Sequence, residues 1–133
     1  MSLGIYPVFN PRVPEAAFDG LGESLAAEFE ALDKLADEHG LVRLTSFTDT
    51  RQVPEDFDGP PEELEKVMGP REDWFPCRDG QFAFEALARL VTTNTTVSQA
   101  LEMPEAVAAE LLSIARALAV GEAHHARFRL EMS

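Results

Sequence analysis

The segment Trp74–Asp79 holds the residue types that come closest to a chemically competent site. It contains the only Trp and the only Cys of the chain, and it directly precedes a predicted helix for which Asp79 is a good N-cap. A helix N-terminus lowers the pKa of a nearby thiol and attracts anions. Arg78 adds to both effects, whereas the Asp79 carboxylate opposes them. One interpretation is a ligand pocket that contains Trp74, Cys77 and Arg78. The other is that Trp74 and Phe75 anchor the segment in the core and Cys77 is a small buried residue.

Carboxylates are the second group of candidate functional residues, because the chain is strongly acidic. Its 24 Asp and Glu residues outnumber its 11 Lys and Arg residues, which gives a formal net charge of -13. Such a charge repels nucleic acids and anionic membranes, but it attracts basic proteins. Solubility is the simpler explanation of the same charge. Within the acidic residues 21–40 and 48–76, the side chains expected to bind a basic partner are Glu28, Asp33, Glu62 and Glu63.

The sequence predicts no metal site and no cofactor. His124 and His125 are adjacent, so in a strand they point to opposite faces and cannot easily share one metal ion. Residues 54–65 resemble a calcium loop around Gly59, but the first ligand position falls on Pro54, which has no carboxylate. The chain also contains no phosphate-binding loop and no hydrolase or zinc-protease motif. These absences favour a binding protein over an enzyme.

Length and composition indicate one domain. A chain of 133 residues with 45% apolar residues buries its own core without needing a disulfide or a metal. A single cysteine fits a reducing compartment, and the N-terminus lacks the basic and apolar regions of a signal peptide, so we expect a cytoplasmic protein. The most apolar stretch, residues 106–121, is too short to span a bilayer and contains Glu110 and Arg116.

Three main helices are predicted from apolar residues that recur every three or four positions. The first covers about residues 22–39 and ends at Gly40, which suits the left-handed conformation that closes many helices. The second covers about residues 79–91. The third covers about residues 104–120, with Pro104 in its first turn and Gly121 after its end.

The clearest strand pattern is at residues 126–132, where apolar and charged side chains alternate as in a half-buried antiparallel strand. Its predicted partner is Leu3–Phe9, in which Pro7 favours an edge position. Residues 41–47 are either a short strand or an extended loop, and residues 48–76 form an irregular, acidic, Pro-rich region. The predicted fold class is therefore α+β, with three helices on a small antiparallel sheet that pairs the N- and C-terminal strands. The predicted core consists of Leu25, Phe29, Leu32, Phe82, Leu87, Leu90, Val107, Leu111, Ile114, Leu118, Phe128 and Leu130.

The order of these features carries a resemblance. An Ile-Tyr-Pro-Val strand from Ile5 is followed by an acidic helix, then by Trp74-Phe75 before a helix rich in Phe, Ala and Leu, and finally by an Arg-Phe-Arg-Leu strand from Arg127. In this arrangement the chain resembles small acidic bacterial cytosolic proteins of unassigned function. The resemblance spans most of the chain, contains no catalytic motif and transfers no functional residue.

Three functional hypotheses follow. The leading one is a non-enzymatic interaction protein, of the immunity or inhibitor type, that binds a basic partner through the acidic residues named above. The second is a small enzyme or ligand-binding domain that uses the Trp74–Asp79 segment. The third is a homodimer formed by edge pairing of the small sheet, since a sheet of two or three strands leaves edges exposed.

Overall fold

Four helices, one short 3₁₀ helix and a three-stranded antiparallel sheet make up the regular structure of the described residues, which are 4–16, 18, 22–48, 59 and 73–132 of the computed structural model. They form an α+β domain, as the sequence predicts. In chain order the elements are β1 (Ile5–Asn10), α1 (Glu23–Glu38), the 3₁₀ helix (Leu44–Phe47), β2 (Phe75–Pro76), α2 (Cys77–Thr93), α3 (Thr95–Ala100), α4 (Pro104–Ala123) and β3 (Arg127–Met132).

The sheet is built around β3, which lies between β1 and β2 and is antiparallel to both. The predicted pairing of the N- and C-terminal strands is confirmed, with Ile5 opposite Met132 and Asn10 opposite Arg127. Pro7 lies opposite Leu130 on the edge strand, where its missing N–H interrupts no central ladder. Strand β2 is only two residues long, so no alternation of apolar and polar residues could predict it from the sequence.

The alternation in β3 gives its inward face. Phe128 and Leu130 are fully buried, whereas Arg127 is exposed. Helices α2 and α4 pack against each other more extensively than any other pair of elements, and both contact the sheet. The predicted core is confirmed at its fully buried positions, which are Leu25, Leu32, Leu87, Val107, Leu111, Ile114, Leu118, Phe128 and Leu130. Phe29 and Leu90 are partly buried at its margin.

Helix α2 differs from its prediction in both its start and its inward face. It begins at Cys77 and not at Asp79, because Pro76 pairs with β3 and provides the extended residue before the first turn. Gly80 packs closely against the sheet, because a Cβ atom there would lie 2.3 Å from Phe128 Cζ. That contact directs Ala83, Phe84 and Leu87 inward. Phe82, which was predicted in the core, lies two residues from Gly80 and is 68% exposed.

Of the two glycines predicted to follow helix ends, one is confirmed and the other lies inside its helix. Gly40 follows α1 with a φ of 70°, the left-handed conformation that was predicted to close this helix. Gly121 does not end α4 but lies within its last turn. A Cβ atom there would be 2.6 Å from Phe9 Cε1, so the residue is small because β1 packs against it. The sequence alone does not distinguish these two uses of glycine.

Residues 41–47 contain no strand. Leu44–Phe47 form the 3₁₀ helix, and Phe47 inserts into a cluster of aromatic rings. Its ring centroid lies 5.3 Å from that of Phe75, 5.4 Å from that of Phe84 and 5.1 Å from that of Phe128. The acidic, Pro-rich region predicted at residues 48–76 lies mostly outside the described residues.

Candidate functional site

The Trp74–Asp79 segment passes from the sheet directly into α2. Phe75 and Pro76 lie opposite Phe128 and Arg127 of β3, which fixes where the helix begins. Asp79 therefore occupies the first turn of α2 and does not cap it, contrary to the prediction. An acidic side chain in this turn still interacts favourably with the helix dipole.

Cys77 is a buried thiol with no exposed surface. Its Sγ donates a weak hydrogen bond to the carbonyl oxygen of Ala126, 3.2 Å away. Burial raises the pKa of Cys77 to about 11, and the nearby Glu122 carboxylate acts in the same direction. Since the thiolate is the nucleophilic form, the surroundings of Cys77 favour the interpretation as a small buried residue over the interpretation as a reactive thiol.

The three residues predicted to form a ligand pocket lie in different surroundings. Trp74 is half-buried, and the guanidinium carbon of Arg129 lies 4.3 Å from its ring centroid, within the range of a cation–π contact. Cys77 lies in the core. Arg78 is exposed and lines a surface groove that neither Trp74 nor Cys77 lines.

This groove, which we call the α2–α4 groove, has a volume of about 300 Å³ and is lined by Arg78, Gln81, Phe82, Glu85 and Glu122. The first four recur at three- and four-residue intervals along the outer face of α2, and Glu122 comes from the last turn of α4. Apart from Arg78, the sequence analysis singled out none of its residues for binding. The available signal is Phe82, which has the charged residues Arg78 and Glu85 four and three positions away on the helix, although the helical stripe predicts it in the core.

The groove has an excess of negative charge and an exposed aromatic ring. The ion pair recorded within the described residues is Arg43–Asp37, so neither Glu85 nor Glu122 forms one there. Glu85 accepts a long hydrogen bond of 3.4 Å from the Gln81 amide. Glu122 lies at the C-terminal end of α4, where the helix dipole disfavours an anion. A cation in the groove would relieve that unfavourable interaction.

The acidic face of α1 is less available than predicted, because two of its candidate residues serve the fold. Glu28 is 8% exposed, and its carboxylate accepts the backbone N–H groups of Glu102 and Met103. Asp33 accepts both the backbone N–H and the hydroxyl of Thr45, the latter at 2.5 Å. Glu28, which is expected from the sequence to bind a basic partner, is therefore buried and hydrogen-bonded within the fold. Glu62 and Glu63 lie outside the described residues.

Other carboxylates of α1 are exposed. Asp37 is paired with Arg43, whose Nε donates to Asp37 Oδ1 at 2.7 Å. Glu23, Glu30 and Glu38 are exposed and form no ion pair within the described part of the chain. Lys34 is the single cation of the helix. The exposed surface of α1 thus keeps a negative excess even though Glu28 is buried and Asp33 is hydrogen-bonded to Thr45.

The two adjacent histidines lie outside the strands. His124 and His125 are both exposed in the turn between α4 and β3, so the strand geometry considered for them does not apply. His125 has a φ of 58°, which reverses the chain toward β3. Over the described ranges, no group of three or more His, Cys, Asp or Glu side chains is placed to hold a metal ion. The calcium-like residues 54–65 lie outside those ranges, except for Gly59.

No helix in the described ranges has both the length and the apolar character needed to cross a bilayer. In comparisons with known proteins, the chain matches no family model, no curated protein and no solved structure. The site therefore has to be interpreted from its own residues.

Proposed function

We propose that this protein is a non-enzymatic interaction module that binds a basic protein through exposed carboxylates. The observation that supports this proposal is the division of the carboxylates on α1. Glu28 and Asp33 accept hydrogen bonds within the fold, whereas Glu23, Glu30 and Glu38 remain exposed and unpaired within the described residues. The exposed group supplies a negative surface that increases the encounter rate with a positively charged partner.

Glu28 and Asp33 are unsuitable as contact residues, because both accept hydrogen bonds within the fold. Neutralising Glu28 or Asp33 would weaken the fold itself, so loss of binding in such a variant would not identify an interface. Glu30 and Glu38 are exposed on the same helix and make no such contact. We therefore propose Glu23, Glu30 and Glu38 as contact residues, and we keep Glu62 and Glu63 as candidates outside the described residues.

The second hypothesis, an enzyme or ligand-binding domain that uses the Trp74–Asp79 segment, receives less support. Its thiol version requires an accessible Cys77, and that side chain is buried. Its anion version requires a basic pocket at the start of α2. Arg78 instead lines a groove that also contains Glu85 and Glu122.

The test is affinity capture from lysate of the source organism, with identification by mass spectrometry at low and high salt. We expect the wild-type chain to retain one basic protein at low salt and to release it at high salt. The E30Q/E38Q variant should lose most of this capture. A matched control, E15Q/E105Q, removes the same charge from exposed residues outside α1 and should retain it.

The outcomes separate three cases. Loss in E30Q/E38Q alone supports binding through α1. Equal loss in both variants indicates attraction by net charge alone and contradicts a defined α1 surface. Capture that is unchanged in E30Q/E38Q and in E62Q/E63Q, or that does not respond to salt, overturns the proposal.

A further inference from the structure

We infer that the α2–α4 groove binds an arginine side chain presented by another protein, with the guanidinium stacked on Phe82 and paired with Glu85 and Glu122. This site lies at the C-terminal end of α4, whereas the contacts between α1 and α4 involve the N-terminal half of α4. The inference therefore goes beyond the proposed function and stands or falls independently of binding through α1.

Two energetically unfavourable placements meet in this groove. Phe82 is 68% exposed, the largest value among the exposed large apolar side chains of the described residues. Glu122 places a negative charge at the negative end of α4, and no residue in the last turn of that helix is basic. Natural sequences tend to break local rules of this kind at functional sites. A single ligand that covers Phe82 and neutralises Glu122 would relieve both unfavourable placements.

Charge complementarity selects a cation as the ligand. The groove contains two carboxylates, Glu85 and Glu122, against one guanidinium, Arg78, and none of the three forms an ion pair within the described residues. The cation–π contact recorded in those residues is Arg129 on Trp74, so no internal cation occupies the face of Phe82 there.

Arginine fits this set of groups better than lysine. Its planar guanidinium stacks on an aromatic ring and at the same time presents several N–H donors in its plane, which suit carboxylate oxygens at the rim. Lysine offers a more strongly hydrated point charge that does not stack. The volume of about 300 Å³ is at the small end of ligand pockets and suits one long side chain.

The test uses a short neutral-capped peptide, acetyl-Gly-Arg-Gly-amide, titrated into the ¹⁵N-labelled full chain at low salt. Backbone amide shifts should change and saturate at residues 78–85 and at Glu122. The corresponding Lys peptide should bind more weakly, and a Glu peptide should produce no such shifts. Shifts located elsewhere, or equal shifts with all three peptides, overturn the inference.

Variants separate stacking from simple apolar contact. Because exposed cation–π contacts contribute about 0.5–1 kcal/mol, F82L should weaken binding of the Arg peptide roughly two- to fivefold, while F82W should retain or strengthen it. E85Q/E122Q should weaken binding about three- to tenfold. E15Q/E105Q removes the same charge from exposed residues outside both the groove and α1, and it should change binding less than twofold. If F82L binds as tightly as wild type, the ring face is not used and the assignment is wrong.

Light scattering tests the alternative that a second copy of the chain, and not an arginine side chain, covers this groove. Wild type and F82A should have the same mass at the concentrations used for titration. A wild-type dimer that F82A converts to a monomer would show that the surface holds another copy, and this result would also overturn the assignment to arginine.

Discussion

The carboxylate of Glu28 on α1 accepts the backbone N–H of Met103, the residue that directly precedes α4, at 3.0 Å. Its other oxygen accepts the N–H of Glu102. The relationship is reciprocal, because Glu110 on α4 accepts the N–H of Leu25 in the first turn of α1 at 3.1 Å. N–H groups near the start of a helix lack partners within that helix. Each of these two helices therefore satisfies such groups at the start of the other.

The first prediction concerns Glu28. Replacing it with Ala should lower the free energy of unfolding by about 1–3 kcal/mol, since two part-buried backbone donors lose a charged acceptor. E28Q should cost about 1–2 kcal/mol, because one amide oxygen remains as an acceptor. Urea unfolding measures both. The control is E30Q, an exposed change on the same helix that should stay within about 0.5 kcal/mol of wild type. An E28A variant as stable as wild type would show that the paired contact contributes nothing.

The second prediction concerns Gly80, where the usual effect of Gly-to-Ala substitution in a helix should be reversed. Such a change normally stabilises a helix interior by about 0.5–1 kcal/mol. Here the added Cβ would lie 2.3 Å from Phe128 Cζ and 2.7 Å from Leu118 Cδ1. We expect G80A to destabilise the protein by about 1–3 kcal/mol in urea unfolding.

The double variant G80A/F128L tests whether Phe128 is the cause. Shortening the Phe128 side chain removes the ring atoms that the new methyl group would meet, so the double variant should be more stable than the sum of the two single changes predicts. Strict additivity would show that the cost of G80A arises from another contact.

The third prediction compares the same chemical change at a buried and an exposed phenylalanine. Phe47 contacts three aromatic rings with centroids 5.1–5.4 Å away, so F47A should cost about 3–5 kcal/mol. Phe82 is exposed, so F82A should change the stability by no more than about 0.5 kcal/mol. Thermal or urea unfolding of the two variants measures both changes in stability. A loss of several kcal/mol in F82A would mean that this ring packs in the core after all.

The fourth prediction concerns the pH dependence of stability through Cys77. Burial raises the pKa of its thiol from 9.0 to about 11, so the folded state holds the proton more tightly than the unfolded state. The resulting stability is fully present below pH 9 and is lost as the pH rises from 9 to 11. Urea midpoints measured across this range should fall more steeply for wild type than for C77S, whose hydroxyl does not ionise there. Identical pH profiles would contradict the shifted pKa.

The same burial predicts slow chemistry at this thiol. At pH 8 an alkylating reagent should modify native Cys77 much more slowly than it modifies the same residue in urea, because the native side chain is both inaccessible and protonated. Modification at equal rates in the two conditions would require an accessible thiol, and the ligand-pocket hypothesis would then regain support.

The sequence predicted the fold class because its strongest patterns are local. The alternation from Ala126 to Leu130 identifies the inward face of β3 without any knowledge of its partners. Gly40 identifies the end of α1 through its own backbone preference. Both features depend on periodicity or on a single residue type, and both are confirmed.

The features that sequence analysis missed depend on contacts between distant residues. Phe82 was assigned to the core because it fits a helical stripe, but the rotation of α2 is set by Gly80 against Phe128, nearly 50 residues away. Glu28 is predicted to bind a partner because it belongs to the acidic residues 21–40, but its carboxylate accepts the N–H groups of Glu102 and Met103. No periodicity in α1 or α2 contains that information. The groove was missed for the same reason, since Glu122 joins the face of α2 only through the packing of α4.

The position of β3 at the centre of the sheet has a consequence for the order in which the protein assembles. Within the described residues, β1 and β2 each pair with β3 alone, and β3 follows the other elements in chain order. Pairing of Ile5 with Met132 closes a very long stretch of chain, which is entropically costly and slow. We expect α2 and α4, which are close in sequence and packed on each other, to associate first. The sheet then forms last, as Phe128 docks against Gly80 and closes the core.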